Sequence, residues 1–482
     1  MKKTFRIKKI CVVIALLAVL STVIFAGCSS PKMKVNIPDV ENAVDFDIAQ
    51  MAYENLKIIG QEHSNRTMAT EGELEAAIYI SNFMRAYGYE SSYSFTIEAT
   101  EGESKEVQGL QGFKTSFKRL SGEELTDAQA YNVIFTKKSA AEKSKGEIVL
   151  ACQYDNLYAE KTDGKLWKVD GSYESGAAIA VMLTLAEALA DVDLDYDLTF
   201  AFFTGGCYEW KGAMNYVDTL DRDRLDKIAL VLNFAMLGGG DNWYIYSGEK
   251  SNTYGKYLNK CAEGYVKAVP KDRNPGQFYL TEDTIFSYTN VGMLSNHYYF
   301  NLKDVPTANV LSINWEINNN PLFSEMKGKA NVYHTQNDTL KKMIERKGEN
   351  GIKTQLLDVV RSTLVALDKS NQDTLKSSLD LAKSEMPNKA AQNSKTSTLT
   401  NILLKVILIA ILIAVSYVIK HTLYKNIDKY VEARKAKEAQ SGESQESQEP
   451  FGETPSSGEG NAQGAEKSKE NAVNKPDEDP FV

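Results

Sequence analysis

Three short stretches of the chain are apolar on both faces: EIVLACQYD (147–155), DLTFAFFTG (197–205) and IALVLNFAM (228–236). They are too short for helices of ordinary length, and Val, Ile, Leu and Phe dominate them. Such runs suit strands at the centre of a sheet covered on both sides. Between the first two lies GAAIAVMLTLAEALA (176–190), which reads as a long buried helix. Earlier, TEGELEAAIYISNFMRAYGY (70–89) reads as another helix, with Thr70 and Glu73 in a capping-box pattern and Gly88 after the last turn. Strands alternating with helices predict an α/β sandwich.

Outside this region the pattern changes. Residues 1–27 carry Lys2, Lys3, Arg6, Lys8 and Lys9, then an apolar run from Ile10 to Phe25, then Ala26-Gly27 before Cys28. This is the layout of a secretory signal, and the small residues before Cys28 resemble a bacterial lipobox, which makes Cys28 the expected lipidation site. An uncleaved anchor is the alternative. Residues 28–45 read as a tether, 46–369 as the folded domain, and 370–399, rich in Ser, Lys, Asn and Gln, as a linker. TNILLKVILIAILIAVSYVIK (400–420) is apolar on every face, and about twenty such residues cross a hydrocarbon core ~30 Å thick. Lys405 near one end snorkels to the interface. Lys420, Lys425, Lys429, Arg434, Lys435 and Lys437 follow, which places 421–482 in the cytoplasm and the folded domain outside. The last part of that tail is too polar to fold alone. The expected location is the outer face of a bacterial plasma membrane.

Composition adds three limits. With 43% hydrophobic and 10% aromatic residues, the 482-residue chain buries a sizeable core. A net charge of −9 and the lack of a basic stripe exclude a nucleic-acid role. Cys11 leaves with the signal and Cys28 is the lipid site, so Cys152, Cys207 and Cys261 remain, an odd number that implies no complete disulfide framework. GGGD (238–241) lacks a following Lys-Ser/Thr and is no phosphate cradle.

The remaining motifs fall into a recognisable order. RTMATEGELEAAIYISNFMRAYGY (66–89) resembles an R-x-x-G-T-x-G-E helix with Ala69 in place of the glycine, and YNVIF (131–135) resembles an N-V-I strand. CQYD (152–155) stands where H-x-D is expected, and GSYESGAAIAVMLTLAEAL (171–189) where D-N-x-S-G leads into a helix. FTGGCYEWKGAMNYV (203–217) matches F-x-x-E-E-x-G-x-x-G-S, and LNFAMLG (232–238) matches N-x-D-M-x-G. SNHYYFNLKDVPTANV (295–310) resembles an S-D-H segment, and YHTQNDTL (333–340) resembles Y-H-T-x-x-D-T. Together they resemble the zinc aminopeptidase superfamily that includes bacterial leucyl aminopeptidases, glutaminyl cyclases, the transferrin receptor and nicastrin. The resemblance implies a three-layer α/β sandwich with a mixed, mostly parallel central sheet.

In that family two zinc ions share five protein ligands, and a separate glutamate is the general base. Carried over residue by residue, the resemblance puts Gln153 at the first histidine ligand and Ser172 at the bridging aspartate. Gly206 falls at the general base, Cys207 at a glutamate ligand and Ala235 at an aspartate ligand. His334 is the one ligand retained. Asp155, which orients the first histidine, and Tyr333, which steadies the tetrahedral intermediate, are retained supports. Every replacement is uncharged, and metal-free carboxylates are costly to bury together, so the pocket is expected to be neutral. The expected function is a membrane-anchored pseudopeptidase that holds no cofactor. It binds a peptide or protein in the vestigial cleft, which His297 and Tyr333 line, or it binds another membrane protein. The alternative is an active zinc aminopeptidase with rearranged ligands drawn from Asp155, Asp170, Glu174, Cys207 and His334. Cys207 with His334 as a soft-metal pair or as a nucleophile and base is a lesser reading.

Overall fold

A computed structural model describes residues 33–98, 104–119, 121–158, 161–162, 165–166, 168–240, 242–246, 253–265, 295–313 and 337–385, with helical residues between 417 and 436. They fall in two units, Met1–Asn393 and Ser394–Val482. In the first, helices α1 (Ile48–Gln61) and α2 (Glu71–Ala86) lead to strands β1 (Leu110–Lys118), β2 (Glu124–Lys137) and β3 (Glu147–Gln153). Then come α3 (Ala177–Leu189), β4 (Asp197–Phe203), α4 (Lys211–Asp218), β5 (Ile228–Ala235), β6 (Asn242–Tyr246) and α5 (Thr253–Cys261). The order closes with α6 (His297–Leu302), β7 (Thr307–Ile313), α7 (Leu340–Lys347), α8 (Glu349–Leu367) and α9 (Gln372–Glu385).

Seven strands form one sheet in the order β6-β7-β5-β3-β4-β2-β1. The four middle strands β7, β5, β3 and β4 run parallel, and the pairings towards both edges are antiparallel. Only three of the six pairings are therefore parallel, fewer than a mostly parallel sheet would have. The three runs that are apolar on both faces form its centre. Alternate side chains serve opposite layers. Ile148, Leu150 and Cys152 pack with α1, α3 and α8, whereas Val149 and Ala151 pack with α4 and α6. Helix α3 is buried at every position except Glu187, as its apolar circumference requires.

The boundaries of the folded unit are wider than the sequence suggests. Residues 370–385, expected as linker, form the end of a 3-10 turn and α9, with Leu375, Leu379 and Ala382 buried. Part of the expected tether pairs with this region. Asn36 N–H donates to Asn371 Oδ1, and Asn371 Nδ2 donates to Asn36 O, both at 2.8 Å. Polar composition concealed an amphipathic helix whose apolar positions recur every three to four residues. Among the described residues no helix is long and apolar enough to cross a membrane. Most of 400–420, and Cys28, lie outside them.

Candidate active site

The parallel strands deliver the family positions to one edge of the sheet. Gln153 ends β3, Gly205-Gly206-Cys207 follows β4, and Ala235 ends β5. Open α/β sheets bind ligands outside the carboxyl ends of such strands. Asp155 lies just beyond β3. Its carboxylate accepts the N–H of Gly206 at 2.8 Å and the N–H of Cys207 at 3.3 Å, and so pins the turn after β4 to the end of β3.

Gln153 fills the site. Its Nε2 lies 3.2 Å from Glu174 Oε1, 3.2 Å from the carbonyl of Asp155 and 3.3 Å from Cys207 Sγ. A Cβ added to Gly206 would overlap the Gln153 amide carbon and oxygen. A side chain at 206 and the present Gln153 therefore exclude each other.

The segment after β3 departs from the alignment. Residues Ser172–Gly176 form one turn of π-helix, a rare element frequent at functional sites. In this turn Ser172 does not reach the site: a Cβ on Gly60 of α1 would meet its hydroxyl at 3.2 Å. Glu174 points in instead, and its Oε1 accepts from Cys207 Sγ at 3.1 Å. An ungapped match of Ser-Gly puts Ser172 at the bridging position, but the extra residue of the π-turn rotates Glu174 into contact with Gln153 and Cys207. Asp170, the other flanking acid, is turned away. Its carboxylate accepts the N–H groups of Leu340 and Ser172.

The pocket thus holds acidic groups, where its replacements had implied none. Burial, then the nearby Glu174, pushes Asp155 up to about 7. Burial, then Glu174, also raises Asp338 well above the carboxylate range. Burial raises the Cys207 thiol well above its usual value, and Asp155 and Glu174 add to the effect. Among the described residues one cation faces this group. The guanidinium of Arg66, itself fully buried, lies in the field of Asp170, Asp338, Asp155 and Glu174. It donates to the carbonyls of Tyr154, His63, Ile59 and Asp170 and to Ser175 Oγ. Gly171, at φ +61°, is the left-handed residue that lets the chain turn here; a Cβ on it would stand 3.0 Å from Arg66 Nη2.

Two residues that organise the site were quoted in motifs without a role. Arg66 is one. Asp338 is the other: its oxygens accept the N–H groups of Tyr173 and Glu174 at 2.8 and 3.1 Å and so set the π-turn. Their signal was present, as the Arg of R-x-x-G-T and the Asp of Y-H-T-x-x-D-T, but nothing local says that either is buried. His297 is fully buried, and burial lowers it to about 3, so it is a neutral core residue and lines no open cleft. His334 and Tyr333 lie outside the described residues.

Among the described residues the donors do not fit the family's pair of zinc ions. Both oxygens of Asp155 already accept backbone N–H groups, and the amide N–H₂ of Gln153 stands among the acceptors where a cation would have to sit. Among the described residues, no group of three His, Cys, Asp or Glu is arranged to hold a metal.

Solved structures of similar shape include a zinc aminopeptidase from Bacillus subtilis, 15% identical, covering 67% of this chain and 95% of that one, with a TM-score of 0.46. A glutaminyl cyclase from Porphyromonas gingivalis is 15% identical over 65% of this chain and 97% of its own, with a TM-score of 0.45. A Zn-dependent exopeptidase from Parabacteroides distasonis is 13% identical over 69% of this chain and 100% of its own, also at 0.45. No curated protein matches the chain. The model of Peptidase family M28 matches residues 132–360, from Asn132 in β2 to Val360 in α8, and so takes in β3, the π-turn and the turn after β4. Over residues 132–360 the chain is therefore similar to Peptidase family M28.

Proposed function

We propose that this protein is a membrane-anchored, extracytoplasmic pseudopeptidase that acts by binding a peptide or protein partner rather than by hydrolysis. One observation carries the reading: the Gln153 side chain occupies the volume that a general base at position 206 would need. Loss of a general base alone costs roughly 10²–10⁴ in rate. A site filled by its own side chains leaves recognition to the surface around the old cleft, or to a neighbouring membrane protein. The apolar run 400–420 and Cys28 supply the anchoring. The test is zinc stoichiometry. The purified chain is equilibrated with zinc, freed of excess and weighed by native mass spectrometry. No tightly held ion is expected, and one or two would overturn the reading.

A second reading is favoured by the inward turn of Glu174 towards Cys207 and Asp155. These three, with His334, would be the rearranged ligands of an active zinc aminopeptidase; Asp170 is committed to Leu340. It predicts a chelator-sensitive release of amino acids from aminoacyl substrates, abolished by Glu174→Gln.

A further inference from the structure

Eight large hydrophobic residues are exposed among the described residues, and five of them are Tyr417, Tyr424, Ile427, Tyr430 and Val431. Residues 427–436 are continuously helical, and 417, 420, 421, 424 and 425 are helical too. At helical spacing Tyr417, Tyr424, Ile427 and Val431 share a face, since steps of seven, three and four keep them within about a quarter turn. Tyr424 is 59% exposed and Tyr430 is 77%. Charge is the second, independent observation. Between 417 and 437 the sequence has Lys420, Lys425, Lys429, Arg434, Lys435 and Lys437 against only Asp428 and Glu432, in a chain whose net charge is −9. Lys420 lies over the ring of Tyr424, its Nζ 5.9 Å from the centroid.

We propose that this helix docks on the surface of an anionic lipid bilayer. Apolar and tyrosine side chains enter the headgroup boundary, where an amphipathic ring is best accommodated. Lys420 stands within that face and Arg434 and Lys435 at its edges, and all three extend their stems to lipid phosphates. Lys425 and Lys429 lie farther round the helix, within the ~8–10 Å over which charge acts at physiological salt. A basic strip favours anionic lipid over the zwitterionic kind and over a second copy of this same helix, which would repel it. The proposal rests on the anchoring reading, because the 400–420 run leads directly into the strip.

The experiment uses the full chain carrying Tyr424→Trp, reconstituted into brominated phosphatidylcholine vesicles with and without phosphatidylglycerol. The readout is the difference in tryptophan emission between this variant and its parent. The expected result is quenching of the added tryptophan that needs phosphatidylglycerol and is mostly lost in ~1 M salt, where the screening length is ~3 Å. The same loss is expected in K425Q/K429Q/R434Q/K435Q, which leaves the apolar face intact. Equal quenching in both lipids overturns the electrostatic part and with it the proposal. An inserted chain without quenching, or with quenching only after removal of the acidic tail 438–482, overturns it while leaving the anchoring intact. A chain that does not insert at all overturns the anchoring as well. Zinc content is unaffected by any of these results, so failure of the pseudopeptidase reading is separately visible.

Discussion

The amide of Gln153 stands in the volume that any side chain on Gly206 would claim. Each residue is the condition for the other. Gly206→Ala should destabilise the domain by about 1–3 kcal/mol through overpacking. In a Gln153→Ala background the same change should cost much less, because the obstacle has gone. Urea unfolding of the four chains checks this. Additive effects would show that the two positions are independent.

Ala69 holds φ +59°, where the related motif has glycine. A side chain in the left-handed region costs roughly 1–2 kcal/mol. Ala69→Gly should therefore raise stability by up to about 1 kcal/mol once the greater freedom of glycine in the unfolded chain is subtracted. A thermal shift of a few degrees upward is the expected readout.

Arg66 links α1, the end of β3 and the π-turn through one planar guanidinium. Arg66→Lys keeps the charge but cannot reach these acceptors together. Each buried carbonyl left without a donor costs about 1–3 kcal/mol, so a loss of at least ~3 kcal/mol is expected. Unchanged stability in Arg66→Lys would show that charge alone suffices.

Two acids give the domain a pH dependence of unusual sign. Burial lifts Glu73 to about 8 and Asp155 to about 7, against unfolded values near 4. The folded chain therefore keeps protons that the unfolded chain releases. The contribution is fully present below pH ~4 and is lost as pH rises through 7 to 8. Between pH 5 and 7 these two groups should lower stability by up to ~1.4 kcal/mol per proton per pH unit. Glu73→Gln should remove about half of that slope in urea unfolding at stepped pH.

Cys207 is partly accessible but a poor nucleophile, because its thiol is raised and donates to Glu174. Alkylation in the folded chain at pH 8 should be at least ~10-fold slower than in urea, since the thiolate is the reactive form. Glu174→Gln should accelerate it by removing an adjacent negative charge. Peptide mass mapping over time separates Cys207 from the buried Cys152 and Cys261.

The sequence by itself determined the centre of the fold. Runs apolar on both faces at 147–155, 197–205 and 228–236 admit few places other than the middle of a covered sheet, and they form β3, β4 and β5 with α3 between the first two in sequence. Side-chain periodicity is a local property, so local reading suffices. The capping box was equally legible, although Glu73 reaches back to the N–H of Ala69 rather than that of Thr70. The ordered motifs also marked Gln153, Gly206, Cys207 and Ala235 as positions of one site, and the parallel strands bring them to one edge of the sheet. Tertiary structure decided what that edge contains. An ungapped alignment assumes a fixed helical register, and the π-turn at 172–176 breaks it, exchanging Ser172 for Glu174. Burial of Arg66 and Asp338, the filling of the site by Gln153, and the raised acids all depend on groups 21 to 165 residues apart that packing brings within hydrogen-bond reach.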